Sequence, residues 1–124
     1  MPGSRQTVHV QVDARKRSVT VKPLTVRGSV KAATVFRWLL DGAGGTFQAR
    51  LLIPGAAFKA VDGSGGPLPQ TLFRLQGGDG KPVPVELQAA APGEWLYLVT
   101  VAFEEKDGAD YQTPSAVPIV IIDP

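Results

Sequence analysis

The run Glu94-Trp95-Leu96-Tyr97-Leu98-Val99-Thr100-Val101-Ala102-Phe103 most narrows what this chain can fold into. Trp95, Tyr97, Val99, Val101 and Phe103 fall on one parity, and Leu96, Leu98 and Ala102 on the other. A strand sorts such a spacing onto two faces, whereas a helix scrambles it. With both parities apolar, this strand, Trp95 to Glu104, is expected to be central and covered on both sides.

The same period opens the chain. Val8, Val10 and Val12 alternate with His9, Gln11 and Asp13, and Val19 and Val21 resume the pattern after four intervening residues, Ala14 to Arg17. Val12 and Val19 then read as inward-facing ends of paired strands, and Ala14 to Arg17 as a hairpin loop. Pro23 interrupts, and Leu24 and Val26 continue on shifted parity, as at a bulge or an edge. Further strands are expected at Leu72 to Gln76, Val83 to Leu87 and Val117 to Ile122, with Pro118 holding the start of the last near an edge.

Residues 29–42, SVKAATVFRWLLDG, admit two readings. Ser29 suits a helix N-cap, Gly42 a helix end, and Ala32, Ala33, Val35, Phe36, Leu39 and Leu40 share a helical face. The strand reading puts Phe36, Trp38 and Leu40 on one face and Val35, Arg37 and Leu39 on the other, with a short turn at DGAGG leading into TFQARLLI. The β-branched and aromatic run Thr34 to Trp38 favours the strand.

The 14 glycines and 11 prolines are spread along the chain, which suits many turns between short strands. Each one-sided strand needs an apolar partner layer. The expected fold is therefore all-β, a single domain over 1–124 forming an antiparallel two-sheet sandwich of about seven to eight strands, with a small β-barrel as alternative. At 124 residues and 44% hydrophobic content the chain has material for one core. The absence of cysteine excludes disulfides, thiolate metal sites and cysteine nucleophiles. No apolar run is long enough to span a bilayer, and MPGSRQTVHV lacks the apolar centre of a signal peptide, so no address is legible and the cytoplasm is the default expectation.

The segment APGEWLYLVTV, with Trp38 on a third strand, resembles immunoglobulin-like and fibronectin type III-like sandwiches. Those folds use a core Trp and often place a Pro-Gly corner before a Tyr-bearing central strand. Tyr97 stands one residue later than that spacing, and the antibody-type disulfide is absent. TVFRWLLDGAGGTF and the ending DGADYQTPSAVPIVIIDP also resemble a group of small bacterial sandwich proteins of unknown function, the DP-EP family; Val117 stands where an acid would be expected before Pro118. Both resemblances imply an immunoglobulin-like fold and no activity.

Catalytic chemistry finds little support. His9 is the single histidine, so two-His catalysis and His-rich metal sites are excluded, and its place on the polar face of the first strand is that of a solvated residue. No serine sits in a G-x-S-x-G elbow, and Ser64 in DGSGG reads as loop. Glu104, Glu105, Asp107 and Asp110 share one hairpin loop, where solvated charge beside an Asp-Gly turn is ordinary and a calcium site would need more ligands. Asp41, Asp62 and Asp79, each followed closely by Gly, read as turns. The glycine-rich DGSGGPLP and QGGDGK lack the phosphate-loop pattern. No catalytic residue, metal or cofactor is assigned, and an enzyme is not expected.

Charge is unevenly spread. Residues 1–60 hold ten Lys or Arg against two Asp, a net of +8, and residues 61–124 hold three against nine acids, a net of −6. Strands from the two halves lying side by side would neutralise this internally; otherwise one face would suit an anionic partner or another copy. Arg15, Lys16 and Arg17 are the candidate anion or partner contact, although one short cluster is meagre for nucleic acid. Tyr111 is the candidate exposed aromatic contact, with Trp38 and Trp95 as further members of a sugar- or base-binding platform if exposed. The expected role is a non-enzymatic interaction or assembly module acting through loops and an edge strand, either Thr7 to Asp13 or Val117 to Asp123, and so supporting a homo-oligomer or protein partner. Small-molecule or carbohydrate binding and anion binding are the alternatives.

Overall fold

The computed structural model describes residues 4–13, 15–43, 47–61, 66–69, 71–75, 84–105 and 108–124. Residues 62–65 and 76–83, with Asp62, Ser64, Asp79 and the strand ends expected at Gln76 and Val83, lie outside the described residues, as do Asp107 and the side chains of Glu104 and Glu105.

Nearly every described segment is extended. The strands are β1 (Arg5–Asp13), β2 (Ser18–Lys22), β3 (Thr25–Ser29), β4 (Val35–Ala43), β5 (Phe47–Leu52), β6 (Phe58–Lys59), β7 (Leu72–Leu75), β8 (Val85–Ala89), β9 (Gly93–Leu96), β10 (Leu98–Glu105), β11 (Gly108–Gln112) and β12 (Ile119–Asp123). One 3₁₀ turn, Gly55–Ala57, precedes β6. They form sheet I in the order β2-β1-β4-β8-β6, sheet II in the order β11-β10-β5-β7 and sheet III in the order β3-β12-β9. The all-β, sandwich-like architecture follows from the alternation: inward Val8, Val10, Val12, Val19, Val21, Phe36, Trp38 and Leu40 of sheet I meet Ala49, Leu51, Phe73, Leu75, Val99, Val101 and Phe103 of sheet II in one buried cluster, with Val120 and Ile122 added from sheet III.

Pairing is not wholly antiparallel. β1 runs parallel to β4, Val8 beside Trp38, and β12 runs parallel to β3, Val120 beside Val26. β4 and β5 lie in different sheets, so the DGAGG connection carries the chain between layers and closes no ladder. Pro23, preceded by a cis peptide bond, marks another such crossing, from β2 in sheet I to β3 in sheet III.

The segment 29–42 contains both of its sequence signals in succession. Ser29 Oγ accepts the Ala32 N–H at 3.0 Å, the Ala33 N–H reaches the Val30 carbonyl at 3.0 Å, and the turn ends with Ala33 at φ +50°. After that single turn β4 begins, with Phe36, Trp38 and Leu40 buried as the strand reading expected. Thr34 sits at the join and is completely buried. Its Oγ1 lies 2.6 Å from Ser4 Oγ and accepts the Ser29 N–H at 3.0 Å, while its carbonyl accepts the Ala89 N–H at 2.8 Å. The side chain and backbone of this one residue thereby tie the segments around Ser4, Ser29 and Ala89 together, and Thr34 has no buried side-chain polar atom left unpaired.

The run 94–103 is divided. Tyr97 stands between β9 and β10, where the chain passes from sheet III to sheet II, and its N–H reaches the Pro118 carbonyl at 3.1 Å. The expectation of cover on both faces fails here: Trp95, Tyr97 and Val99 turn inward, whereas Leu96 and Leu98 are exposed. β12 is central between β3 and β9, so Pro118 opens an interior strand, and β1 lies between β2 and β4. Neither of the strands expected to offer an edge for assembly does so.

Candidate functional surfaces

Asp13 and Ser18 pair at the ends of β1 and β2 as the alternation implied, with Arg15, Lys16 and Arg17 in the turn between them and Ala14 outside the described residues. Asp13 Oδ1 accepts the N–H groups of Arg15 at 3.0 Å and Lys16 at 3.1 Å, an Asx turn that uses the only acid in the cationic stretch to hold its backbone. Arg17 adopts φ +51° at the exit. Arg15 and Lys16 are exposed; Arg17 Nη1 points to Asp110 Oδ2 of β11 at 3.5 Å, and Gln112 Nε2 donates to both oxygens of the same carboxylate. The cationic turn of sheet I therefore lies beside Asp110 on the edge strand of sheet II.

That arrangement recurs. Arg27 Nε donates to Asp123 Oδ2 at 2.9 Å across the parallel β3–β12 pair, and Arg5 lies 3.8 Å from Glu86. Each contact joins the +8 half to the −6 half, so part of the charge asymmetry, three of the ten cations, is met within the molecule. His9 is also paired: its Nδ1–H donates to Asp41 Oδ2 at 2.7 Å, which places Asp41 within β4 opposite Gln11 and not in a turn. Both side chains stand on the open outer face of sheet I. Around them Lys22 lies opposite His9, Thr20 opposite Gln11 and Glu86 opposite Arg37, with the half-buried Leu39 on the other side of His9, a mainly polar face.

The aromatic candidates separate. Trp38 is fully buried, edge-on to Tyr97 with ring centroids 5.7 Å apart and edge-on to Phe58 at 6.2 Å. Trp95 packs against the core, and its indole N–H donates to the Ala91 carbonyl at 3.1 Å. Tyr111 is 67% exposed and stands opposite Ala102, seven residues along the chain from Trp95, a distance of roughly 20 Å in extended form. The three rings share no platform. Tyr97 lies in the core, where burial pushes its pKa up to about 12 and the neighbouring Trp38 indole offsets part of the rise. The edge-on rings leave the Tyr97 hydroxyl and the Trp38 Nε1 without a hydrogen bond, so no backbone carbonyl receives that hydroxyl as in a tyrosine corner.

The outer face of sheet II differs in kind from that of sheet I. Leu98 stands opposite Leu52, and Leu52 opposite Leu72, so three leucines form one row across β10, β5 and β7. They are 39%, 38% and 46% exposed. Leu96, 62% exposed, extends the row around the corner at Tyr97 to its partner Ile119 on β12. Cross-strand neighbours lie about 5 Å apart, so the row is continuous. The next row on the same face is Thr100, Arg50 and Arg74, in that order of pairing, and beyond it Tyr111, Ala102 and Gln48. Sequence reading missed this belt, because Leu96 and Leu98 looked like the second buried face of a doubly covered strand. Its one legible sign was the recurrence of leucine at 52, 72, 96 and 98 on the parity opposite the core.

Among the described residues no cluster of three or more metal-ligating side chains occurs, and no helix is long and apolar enough to cross a membrane. No protein-family model matches the chain, and comparison with curated proteins finds no match. Among solved structures the chain is similar to the N-terminal domain of phage TP901-1 ORF48, with 10% identity over 98% of this chain and 99% of that one at a TM-score of 0.38. It is also similar to auracyanin B, with 17% identity over 96% of this chain and 89% of that one at a TM-score of 0.43.

Proposed function

We propose that this chain is a non-enzymatic protein-interaction module of immunoglobulin-like type, and that it binds through the outer face of sheet II. The reading is carried by the leucine row Leu98-Leu52-Leu72 with Leu96 beside it. Isolated exposed apolar residues are ordinary on any protein; a registered row of them spanning three strands resembles the contact face of a binding module. The opposite outer face, on sheet I, is mainly polar around Gln11 and supplies an internal control. The fold resemblance adds Trp38 as a core tryptophan between layers, and the DP-EP likeness rests on residues 34–47 and 107–124.

The test is site-specific photo-crosslinking in the native cell, with a benzophenone amino acid at Leu52 or, for comparison, at Gln11 on sheet I. An adduct of discrete mass from position 52 and none from position 11 is the expected outcome. Adduct of about twice the 13.1 kDa chain mass would identify the module as self-assembling. Equal labelling from both faces, or none from position 52, would refute the reading.

A further inference from the structure

Resting on that reading, we infer the chemistry of the partner: sheet II receives an acidic, apolar segment of another protein, with carboxylates on Arg50 and Arg74 and apolar side chains on Leu98, Leu52 and Leu72. Arg50 and Arg74 are direct cross-strand partners in the β5–β7 ladder. Like charges placed opposite one another on a sheet destabilise it, and folds ordinarily set an acid against a cation. Elsewhere among the described residues Arg37 stands opposite Glu86, and Arg27, Arg17 and Arg5 each have a carboxylate within 4 Å, on Asp123, Asp110 and Glu86. Among the described residues Arg50 and Arg74 meet no carboxylate, and the third member of their row, Thr100, supplies a hydroxyl and no charge.

The two rows are two residues apart along each strand, about 7 Å. A ligand that satisfies both must present carboxylate and apolar groups at that spacing, as alternate residues on one face of a strand or residues three to four apart on a helix do. Arginine forks bind carboxylates in pairs of hydrogen bonds, and the adjoining leucines exclude water from those bonds. A second copy of this chain fits less well: stacking the face in register on itself would bring four arginines together. Nucleic acid fits less well too: the row on one side of the arginines is aliphatic, and Tyr111, the exposed ring on the other side, stands on β11, two strands away from Arg50.

The experiment uses the full chain and two labelled twelve-residue peptides, one repeating Leu-Glu-Ser and one repeating Leu-Lys-Ser, read by fluorescence anisotropy, with light scattering on the chain alone. The acidic peptide is expected to bind at least tenfold more tightly than the basic one. Arg50→Glu with Arg74→Glu should reverse that preference, and Leu52→Ser with Leu98→Ser should weaken both peptides tenfold or more. All four positions are at least partly exposed, and matching far-ultraviolet circular dichroism shows that each variant is folded. Binding that depends on the leucines but shows no preference for charge, or a preference that survives the double Arg→Glu change, overturns the acidic partner while leaving the leucine face as the binding surface. Absence of peptide binding overturns the inference, as does a wild-type dimer that the Leu→Ser pair converts to monomer, which would make a second copy the occupant. Acidic-peptide binding indifferent to the leucines would overturn the reading on which the inference rests.

Discussion

Replacing Gly28 by alanine should cost this fold more than any other single methyl addition described. Gly28 is in β3, beside the Thr34 hub. A Cβ built there would stand 2.8 Å from Phe36 Cζ, 2.6 Å from Thr34 Cβ and nearer still to Thr34 Cγ2. Carbon pairs rest at about 3.5 to 4.0 Å, so relief requires a displacement on the order of 1 Å. Neither neighbour can give way freely: Thr34 is held through Ser4, Ser29 and Ala89, and Phe36 is edge-on to Phe58 with centroids 6.0 Å apart. Overpacking of a well-filled core costs about 1–3 kcal/mol, and contacts on two anchored residues argue for the upper end, about 3 kcal/mol. With an unfolding entropy of about 2.1 cal/mol/K per residue, a chain of this length would lose roughly 10 °C in Tm. Thermal unfolding followed by circular dichroism measures this. Thr34→Ser removes the nearest methyl while keeping the oxygen, so the double variant should recover part of the loss, a coupling of about 1 kcal/mol in a double-mutant cycle. A Gly28→Ala protein melting within 2–3 °C of the parent would refute the close approach of β3 to β4.

Three further outcomes are expected. Thr34→Val keeps the shape but removes the acceptor of the part-buried Ser29 N–H, while the exposed Ser4 hydroxyl can turn to water, which should lower stability by about 1–3 kcal/mol in urea titration. Tyr97→Phe should be nearly neutral near pH 7, because the hydroxyl it removes has no hydrogen bond. Tyr97 ionises near 10 unfolded and about 12 folded, so the unfolded chain holds fewer protons between those values. Stability from this group is complete below pH 10 and falls by up to about 2–3 kcal/mol as pH rises to 12, a slope that the Phe variant should lack when the two are melted side by side. Ala33→Gly relieves a left-handed alanine at φ +50° and should raise stability by up to about 1 kcal/mol, whereas Ala32→Gly should not.

Local conformation was highly legible, and partnership was not. The inward valines of β1 and β2, the loop 14–17 and the buried face of β4 all follow from parity and turn chemistry, because these depend on neighbours within a few residues. Parity says nothing about which strand lies alongside. The parallel β1–β4 and β3–β12 pairs, and the passage from sheet III to sheet II at Tyr97, leave the alternation of the sequence undisturbed. The binding surface was hidden for the same reason. Leu96 and Leu98 carry no mark distinguishing a second buried face from an exposed apolar one, and that difference arises only from what packs on sheet II, where among the described residues these leucines stay exposed. Arg50 and Arg74 became informative only once the register set them opposite each other.

The position of β12 has a consequence for the order in which the fold is assembled. Both hydrogen-bonded neighbours of this strand precede it, and its partner β3 lies far back in the chain, the Arg27–Asp123 bond spanning 96 residues and Arg17–Asp110 spanning 93. Such long loops must close before any pairing energy is returned, which makes folding slow. During synthesis the basic half leaves the ribosome well before the acids that neutralise it, so the nascent chain passes through an interval as a polycation with incomplete sheets. Eight of the nine acids in 61–124 have arrived by Asp110, so the charge is largely balanced before the sheets are complete, and residues 119–123 then supply Asp123 and the strand that joins β3 to β9.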